Sequence, residues 1–545
     1  MRNTLASTER NKKDDMRNTF GIILCLLGCA LCNAKPAYRG PVERTLPDGS
    51  KTTVYLHGDE FFHWLTDEQG SWLEETADGN LVKVAALSED EIDLRRNTSA
   101  RRAGQAQQTA YPINLAPRGL VILVNFQDVE FQPENTLEAM KDMHNGDNYT
   151  YSYTSYSTHT VTAKGSVRKY FMDQSMGQYQ PEFDVVGPYA VSQNMEYYGS
   201  NDYSGTDKHP EIMVKEACEL AAEDGVDFSI YDNDNDGKVD FVYVIYAGYS
   251  EADGGSANTI WPHSHRLSYA YMNLILNDKQ VDLYACGSEL NYSSNSRAGI
   301  ATFCHEFSHV MGLPDIYVTI SNATWKTSGS WDIMDYGPYN NDGNTPPSYS
   351  GYERMFFGWA TPRMLNTYGE VTINELQKYN DVCVITPSGQ FNGIGNDPDP
   401  NIFYVLESRF KQGWDQYIKG RGLMLTRINY SYSKWLYNTV NNSRNNLGVD
   451  LIEADGKQPT YGNTGYDGKS TDLFPRGCKW YTGIENYAIT NIKEQSGTVT
   501  FLLEMPNAVE DIVATPSEST QKVLESGQMV IIRDGIKYSV LGERL

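Results

Sequence analysis

The stretch that most constrains this chain is HEFSHVMGLPD, residues 305–315, which places two histidines four residues apart with a glutamate directly after the first. Residues four apart on an α-helix lie on one face, so His305 and His309 can direct their imidazole rings at a single ion. Glu306 then lies beside that ion, where a carboxylate can exchange a proton with an activated water molecule. The spacing predicts a zinc-binding helix that carries a general base.

A catalytic zinc ion usually has three protein ligands and one open position, so a third ligand is required. No histidine follows His309. Gly312 and Pro314 predict that the helix stops one turn past His309, and a sharp turn at Gly312 would return Asp315 toward the metal. Asp315 is therefore the predicted third ligand. Glu353, in GYERMFFGW, is the alternative, because another class of zinc peptidase takes its third ligand from a glutamate on a later helix.

The completed pattern HExxHxxGxxD resembles the metzincin signature with its last histidine replaced by aspartate. Further along, SGSWDIMDYG carries Met334 in a polar turn with Tyr336 two residues later, which resembles the Met-turn beneath metzincin active sites. This resemblance implies structural roles for Gly312 and Met334. It also implies a catalytic role for Tyr336, at the metal or at the oxyanion of the transition state.

The chain as a whole resembles the M6-type, immune inhibitor A-like secreted bacterial zinc metallopeptidases. Besides the zinc motif, the similar segments are RGLVILVNFQD (118–128), FDVVGPYAVS (183–192), the run that begins YDNDNDG, IWPH (260–263) and HGDEFFHW near the start. The resemblance implies an α/β metzincin-like catalytic domain, with a mixed sheet and an active-site helix, a zinc cofactor, and protein or peptide substrates. His263 and His265 in IWPHSHR receive no metal role and are expected in a loop near the cleft.

A second metal site is predicted in the acidic run. Asp232, Asp234 and Asp236 alternate, Gly237 takes the sixth position and Asp240 the ninth, as in the first nine positions of an EF-hand loop. The twelfth position is a tyrosine instead of the bidentate glutamate. The sequence therefore predicts a structural calcium clamp at the junction of a helix and a strand, and not an EF-hand sensor.

Composition limits the partners that this chain can have. Its net charge of −25 argues against binding to nucleic acid or to an anionic membrane surface.

Three of the eight cysteines lie in the first 32 residues, and the five in the body of the chain have no regular spacing. No disulfide framework is predicted.

The first 34 residues are typical of an export signal. The lead RNKKDDMRNT is charged, residues 20–32 are apolar but too few to span a bilayer, and CNA (32–34) offers a small-residue cleavage site. The mature chain is therefore expected without a transmembrane segment, either secreted or at the cell surface. Because LLGC (26–29) resembles a lipobox, a lipid anchor at Cys29 is the alternative.

The remaining residues divide into predicted domains. Residues 35–111 are expected to form a propeptide that ends in a cleavable linker, RRNTSARRAGQAQQTA at 95–110. Residues 112–362 are expected to form the catalytic domain, with buried strands at 121–124 and 239–246 and, between them, a helix capped by Asp207.

Short strand-like segments such as NIFYVLES and GTVTFLLE predict a β-rich domain over residues 363–506. Residues 507–545 form a C-terminal tail with a hairpin pattern around Asp534–Gly535, similar to the sorting signals of exported proteins.

Together these features predict an exported zinc-dependent endopeptidase that is made as a zymogen and hydrolyses extracellular proteins. One alternative is a surface-binding protein or adhesin whose metal sites only stabilise the fold. Glu306 discriminates between the two, because a structural zinc ion needs no general base beside it. A zinc amidase acting on cell-wall or sugar amides would share the chemistry but not the Met-turn pattern.

Overall fold

A computed structural model of the protein describes most of the chain after residue 32. The described residues are 33–76, 78–88, 90–92, 94–96, 115–155, 159–202, 205–292, 294–320, 323, 325, 327–392, 398–457 and 468–506, with the backbone alone of 520–525, 528–533 and 536–539. Residues 1–32, including Cys29, and linker residues 97–110 lie outside them, as do residues 507–519 of the tail.

The N-terminal part forms a meander of antiparallel strands. Its strands are β1 (Asn33–Ala34), β2 (Pro41–Thr45), β3 (Lys51–Asp59), β4 (Phe62–Thr66), β5 (Trp72–Glu75) and β6 (Leu81–Lys83). Strands β2 to β6 pair in sequence order, whereas β1 joins a different sheet. Two of the connections are tight turns that contain Gly49 and Gly70, at φ values of 83° and 77° that favour glycine.

The central part alternates strands and helices. Its elements are β7 (Arg118–Asn125), α1 (Leu137–Asn145), β8 (Thr150–Thr154), β9 (Thr160–Lys164), α2 (Val167–Gln174), β10 (Glu182–Ala190), α3 (Met195–Gly199), α4 (Pro210–Glu223), β11 (Lys238–Val239), β12 (Val242–Tyr249), β13 (His263–Arg266), β14 (Leu274–Leu276), β15 (Lys279–Val281), β16 (Leu283–Asn291), β17 (Ser296–Arg297), α5 (Ile300–Val310) and α6 (Gly351–Phe356). The main sheet has the order β1-β13-β16-β12-β7-β10.

This sheet is mixed. Strands β10, β7, β12 and β16 are parallel, whereas β13 runs antiparallel to β16 and, apart from the two-residue strand β1, forms the edge of the sheet. The alternate side chains of β7 and β12 enter two cores, since Val121 and Tyr243 face helix α5 while Ile122 and Val244 face helix α4. Burial on both faces explains why these two strands are continuously apolar. The sequence-based expectation of a mixed α/β arrangement is confirmed.

The C-terminal part is built from strands. It contains β18 (Arg363–Met364), β19 (Gly369–Asn374), α7 (Leu376–Tyr379), β20 (Cys383–Ile385), β21 (Ile402–Arg409), β22 (Gly422–Asn429), α8 (Tyr432–Leu436), β23 (Val449–Leu451), β24 (Tyr481–Ile484), β25 (Tyr487–Gln495), β26 (Thr498–Glu504), β27 (Thr520–Glu525), β28 (Gln528–Arg533) and β29 (Ile536–Ser539). Strands β28 and β29 pair around residues 534–535, where the hairpin was expected.

The five-stranded sheet β18-β20-β21-β22-β23 is buried on both faces. Leu406 and Leu425 pack against the sheet β19-β26-β25-β24, while Val405 and Ile428 join the core that also contains helix α5. The β-rich part therefore shares a hydrophobic core with the central part. Through this shared core, residues beyond 363 can reach the active-site helix.

Two local predictions were wrong. Asp207 does not cap α4; the N-cap residue is His209, and the Asp207 carboxylate accepts the backbone N–H of Trp261 at 2.9 Å. His263 and His265 lie in the edge strand β13 and not in a loop. Among the described residues, no helix is both long and apolar enough to cross a membrane.

Candidate active site

Helix α5 presents its two faces to different environments. Phe303 and Phe307 point into the main core, where their rings lie 4.2 Å from that of Tyr243 and 4.8 Å from that of Phe241, respectively. Because residues four apart share a face, the packing of these two rings fixes the orientation of the helix. His305 and His309 are thereby held together on a different face, with ring centroids 4.7 Å apart.

The chain turns sharply after this helix. The helix ends at Val310, one residue after His309 and not a full turn beyond it as predicted. Gly312 adopts φ 104°, and its N–H donates to the carbonyl of His309 at 2.9 Å. That conformation would be strained for a residue with a side chain, which explains why a glycine stands here. The turn directs the chain back toward the two histidines.

Three side chains meet after this turn. The Nε2 atoms of His305 and His309 are 3.2 Å apart, and each lies 3.3 Å from Oδ1 of Asp315. Each imidazole uses its other nitrogen to donate to a backbone carbonyl, His305 to Ile333 at 2.7 Å and His309 to Leu313 at 2.8 Å. Both Nε2 lone pairs therefore point at one position beside a carboxylate oxygen, an arrangement that fits a zinc ion.

Asp315 is oriented by a residue from the β-rich part. Asn438 donates from Nδ2 to Oδ2 of Asp315 at 2.5 Å and accepts the Asp315 backbone N–H at 2.7 Å. Oδ1 of Asp315 has no hydrogen-bond partner and remains directed at the two imidazoles. Burial acts to raise the pKa of Asp315, but the neighbouring His309 and His305 outweigh it and lower that pKa to about 2.

The alternative ligand Glu353 lies elsewhere. It closes a capping box at the start of α6, where its Oε2 accepts the N–H of Ser350 at 2.6 Å.

Met334 is fully buried, and its N–H donates to Asp332 at 2.7 Å. In the same turn, the carbonyl of Ile333 accepts the hydrogen bond from His305. The turn around Met334 thus positions one of the two histidines.

Glu306 faces the chain segment that precedes the sheet formed by β2 to β6. Its Oε1 accepts the backbone N–H of Lys35 at 2.9 Å, and Oε2 is buried without a hydrogen-bond partner. Burial raises the pKa of Glu306 to about 8. A carboxyl group in this environment can take up and release a proton near neutral pH.

The N-terminal segment, residues 33–37, lies along the cleft. Its strand β1 pairs antiparallel with the edge strand β13, with Asn33 opposite Ser264. Beyond β1, the carbonyl of Lys35 accepts from Nε1 of Trp261 at 2.9 Å, and that of Pro36 accepts from the Tyr339 hydroxyl at 2.5 Å. This segment thus adds an extended strand to the sheet edge, which is a common mode of peptide binding.

Two tyrosines lie near this segment, and one of them was not predicted from the sequence. The Tyr317 hydroxyl donates to the carbonyl of Ala34 at 2.7 Å. Tyr336, the residue expected at the oxyanion, stacks on Tyr339 with 6.1 Å between ring centroids, and the Arg39 guanidinium lies 3.4 Å from its ring centroid. No spacing pattern in the sequence pointed to Tyr317 or to Asn438, which is 123 residues from Asp315.

The predicted calcium loop forms a smaller acidic cluster than expected. Ligand oxygens of Asp232, Asp234 and Asp240 lie within 4.8 Å of one another, and Asp236 is not part of that group. Burial, with contributions from Asp234 and Asp232, raises the pKa of Asp240 to about 6. Lys279 supplies a cation to the cluster, with Nζ 2.5 Å from Asp232.

The remaining histidines and cysteines near the cleft have ordinary structural roles. His263 bonds the carbonyl of Trp261 at 2.7 Å through Nδ1 and the Tyr284 hydroxyl at 3.1 Å through Nε2, and burial lowers its pKa to about 4. Cys304 is buried within α5, and burial raises the pKa of its thiol. Neither residue belongs to a metal-binding cluster among the described residues.

Asn438→Ala is expected to weaken zinc binding about 10- to 100-fold, because the outer oxygen of Asp315 would lose the donor that orients it. Asn442→Ala is the matched control, since Asn442 lies on the same loop but bonds Thr319. Chelator competition measures both affinities. Equal zinc affinities for the two variants would show that Asn438 does not orient a metal ligand.

Comparisons with known proteins agree with this geometry. Residues 113–361 match the family model described as immune inhibitor A peptidase M6, catalytic domain. The chain is 26% identical over 234 residues to the pre-pro-metalloprotease PrtV of Vibrio cholerae, covering 39% of this chain and 26% of that protein. It is 27% identical over 216 residues to immune inhibitor A of Bacillus thuringiensis, covering 35% of this chain and 31% of that protein.

The similarity thus spans about a quarter to a third of the length of these relatives. The match to the family model, residues 113–361, includes the His305, His309 and Asp315 cluster together with Glu306. Between residues 113 and 361, this chain therefore carries a catalytic domain of the M6 peptidase family.

Proposed function

We propose that this protein is an exported zinc-dependent endopeptidase, made as a zymogen, that hydrolyses peptide bonds of extracellular proteins. One observation carries the proposal: a single peptide group, between Ala34 and Lys35, lies between Glu306 and Tyr317 beside the predicted zinc ligands. The main sheet, with its antiparallel edge strand and the active-site helix, supports a metzincin-like arrangement of this domain.

His305, His309 and Asp315 would hold the zinc ion. When bound there, zinc supplies a Lewis acid that polarises the peptide carbonyl and acidifies a water molecule. Glu306 takes a proton from that water as its oxygen attacks the carbonyl carbon. Through Oε1 it then delivers the proton to the peptide nitrogen, the atom that it already contacts in Lys35, as the C–N bond breaks. A neutral tyrosine hydroxyl stabilises the developing oxyanion.

Tyr317 and Tyr336 are both proposed for this last role. Tyr317 already donates to the carbonyl of the peptide group in the cleft. The ring of Tyr336 is covered by the Arg39 guanidinium of the proposed propeptide, so the surroundings of this ring change when the propeptide leaves. Burial raises the pKa of Tyr317 well above its usual value, which keeps its hydroxyl protonated as a donor.

Latency follows from occupation of the cleft. Residues 33–37 take the position along β13 where a substrate strand would pair, so a substrate cannot bind until they leave. Lys35 anchors this segment through a buried ion pair with Asp253 at 2.6 Å. Removal of the export signal after Ala34 would take Asn33 and Ala34 out of the cleft and leave residues 35–37, anchored by Lys35, in place. Cleavage in the 95–110 linker would then release the propeptide.

A calcium site, a cellular location and a role for the tail complete the proposal. Calcium is proposed at Asp232, Asp234 and Asp240, with Asp236 completing the acidic loop, as a structural clamp between the 3₁₀ turn at residues 228–231 and β11. The N-terminal signal would direct the enzyme out of the cell, where it is secreted or attached to the cell surface. A lipid anchor at Cys29 is the alternative means of attachment. The tail, with its β28–β29 hairpin, is proposed to act as a sorting signal.

Glu306→Gln is expected to lower casein hydrolysis by the zinc-loaded, processed protein about 100-fold or more, because the proton carrier is lost while the metal ligands remain. A chelator is expected to abolish the activity of the unsubstituted protein. Glu219→Gln, which removes the same charge from α4 on the other side of the sheet, is the control. Undiminished hydrolysis by the folded Glu306→Gln protein would overturn the mechanism.

Lys35→Glu is expected to raise peptide hydrolysis by the unprocessed chain about tenfold or more, since two carboxylates would face each other in the buried contact with Asp253. Lys51→Glu reverses the same charge at an exposed pair with Glu43 and serves as the control. Hydrolysis of a fluorogenic peptide reports the result. Equal activity of both unprocessed variants would show that the Lys35 contact does not maintain latency.

Calcium is expected to raise the melting temperature of the zinc-loaded protein, because an ion that binds only the folded state stabilises it. Asp234→Asn should reduce that increase by removing one ligand of the cluster. Asp227→Asn is the matched control, since Asp227 caps the adjacent turn through Ser229. If calcium shifts the melting temperature equally in both variants, the ion binds elsewhere.

A further inference from the structure

The side chain of Lys35 occupies a built pocket. Its ammonium lies 2.6 Å from Oδ1 of Asp253 and 3.2 Å from Oγ1 of Thr302, and 4.3 Å from the centroid of the Tyr339 ring. The Lys35 and Asp253 side chains are only 4% and 9% exposed. A carboxylate, a hydroxyl and an aromatic face thus surround one cation, a combination that recognises an ammonium group.

The backbone shows where this pocket lies relative to the reacting bond. The carbonyl of Ala34 and the N–H of Lys35 belong to one peptide group, and they bond Tyr317 and Glu306, respectively. Glu306 is the residue that protonates the leaving amine in the proposed mechanism. Lys35 therefore takes the position of the substrate residue that follows the scissile bond, the P1′ residue, and its pocket is the S1′ pocket.

Asp253 sets the chemistry of this pocket once the propeptide has left. Lys35 is its only side-chain ion-pair partner among the residues that the structure describes. A buried carboxylate without a cation is costly, and an apolar side chain entering the pocket would remove water from it without compensation. A lysine side chain restores the contact that the propeptide made.

We propose that Asp253 makes this enzyme select substrates with a basic residue, lysine above all, immediately after the scissile bond. The proposal rests on the proposed peptidase function and adds the substrate class. The propeptide is then held by the same contact that the enzyme uses to recognise its substrates. Asp253 acts here as a specificity-determining residue, Thr302 contributes from the first turn of α5, and Tyr339 forms the aromatic wall.

The test is a set of peptides that differ only at P1′, carrying lysine, acetyl-lysine, leucine or glutamate. The full chain, loaded with zinc and processed at the 95–110 linker, is assayed by kcat/KM, and the cleaved bond is identified by mass spectrometry. Acetyl-lysine keeps the length of lysine but removes its charge, so the wild-type protein alone tests the proposal. Asp253→Asn provides the second test, with Glu251→Gln as control because Glu251 bonds His63 and Asn201 instead.

We expect the wild-type protein to prefer lysine over acetyl-lysine and leucine by roughly 30-fold, the factor for loss of one partner of a buried charge pair. The ratio of kcat/KM for lysine to that for leucine should collapse in Asp253→Asn and persist in Glu251→Gln. Equal cleavage of the lysine and acetyl-lysine peptides would overturn the proposal while leaving the peptidase function intact. In that case the pocket serves only to anchor the propeptide. If no peptide in the set is cleaved and casein is also left intact, the proposed function itself fails.

Discussion

The backbone carbonyls that orient His305 and His309 are the contacts on which the rest of the candidate site depends. The carbonyls of Ile333 and Leu313 each accept a hydrogen bond from Nδ1 of one imidazole, which leaves both Nε2 lone pairs free and convergent. Both carbonyls belong to turns and not to the helix itself, so the helix alone cannot form the site. The turn at Gly312 and the turn around Met334 are therefore parts of the candidate metal site, although neither supplies one of the proposed ligands.

The site also extends beyond the segment that matches the peptidase family. Asn438 lies outside residues 113–361, yet it bonds both the carboxylate and the backbone of Asp315. It reaches that position because the sheet containing β21 and β22 is buried on both faces and shares a core with α5. Arg409 of β21 reinforces the junction through its hydrogen bonds to the carbonyls of Ser348 and Trp331. The predicted boundary near residue 362 therefore separates an α/β part from a β-rich part, but the two parts do not have independent hydrophobic cores.

Local patterns predicted much of the fold and the centre of the site. The four-residue spacing of His305 and His309 and the turn at Gly312 are properties of a few adjacent residues, and the apolar strands follow from burial on both faces. Spacing could not reveal Tyr317, Asn438 or the cleft position of Lys35, because each acts across a contact with residues distant in sequence. Asp207 failed as a predicted cap because its carboxylate is bonded to the N–H of Trp261 instead, a competition that local sequence does not show.

The most direct test of the proposed centre is a crystal structure of the zinc-loaded, unprocessed chain with anomalous data collected at the zinc edge. We predict one peak bonded to Nε2 of His305, Nε2 of His309 and Oδ1 of Asp315, at about 2.0–2.2 Å from each ligand atom. The Ala34–Lys35 peptide group should lie beside it, between Tyr317 and Glu306. A peak ligated by Glu353 in place of Asp315, or no peak between the two histidines, would contradict this assignment.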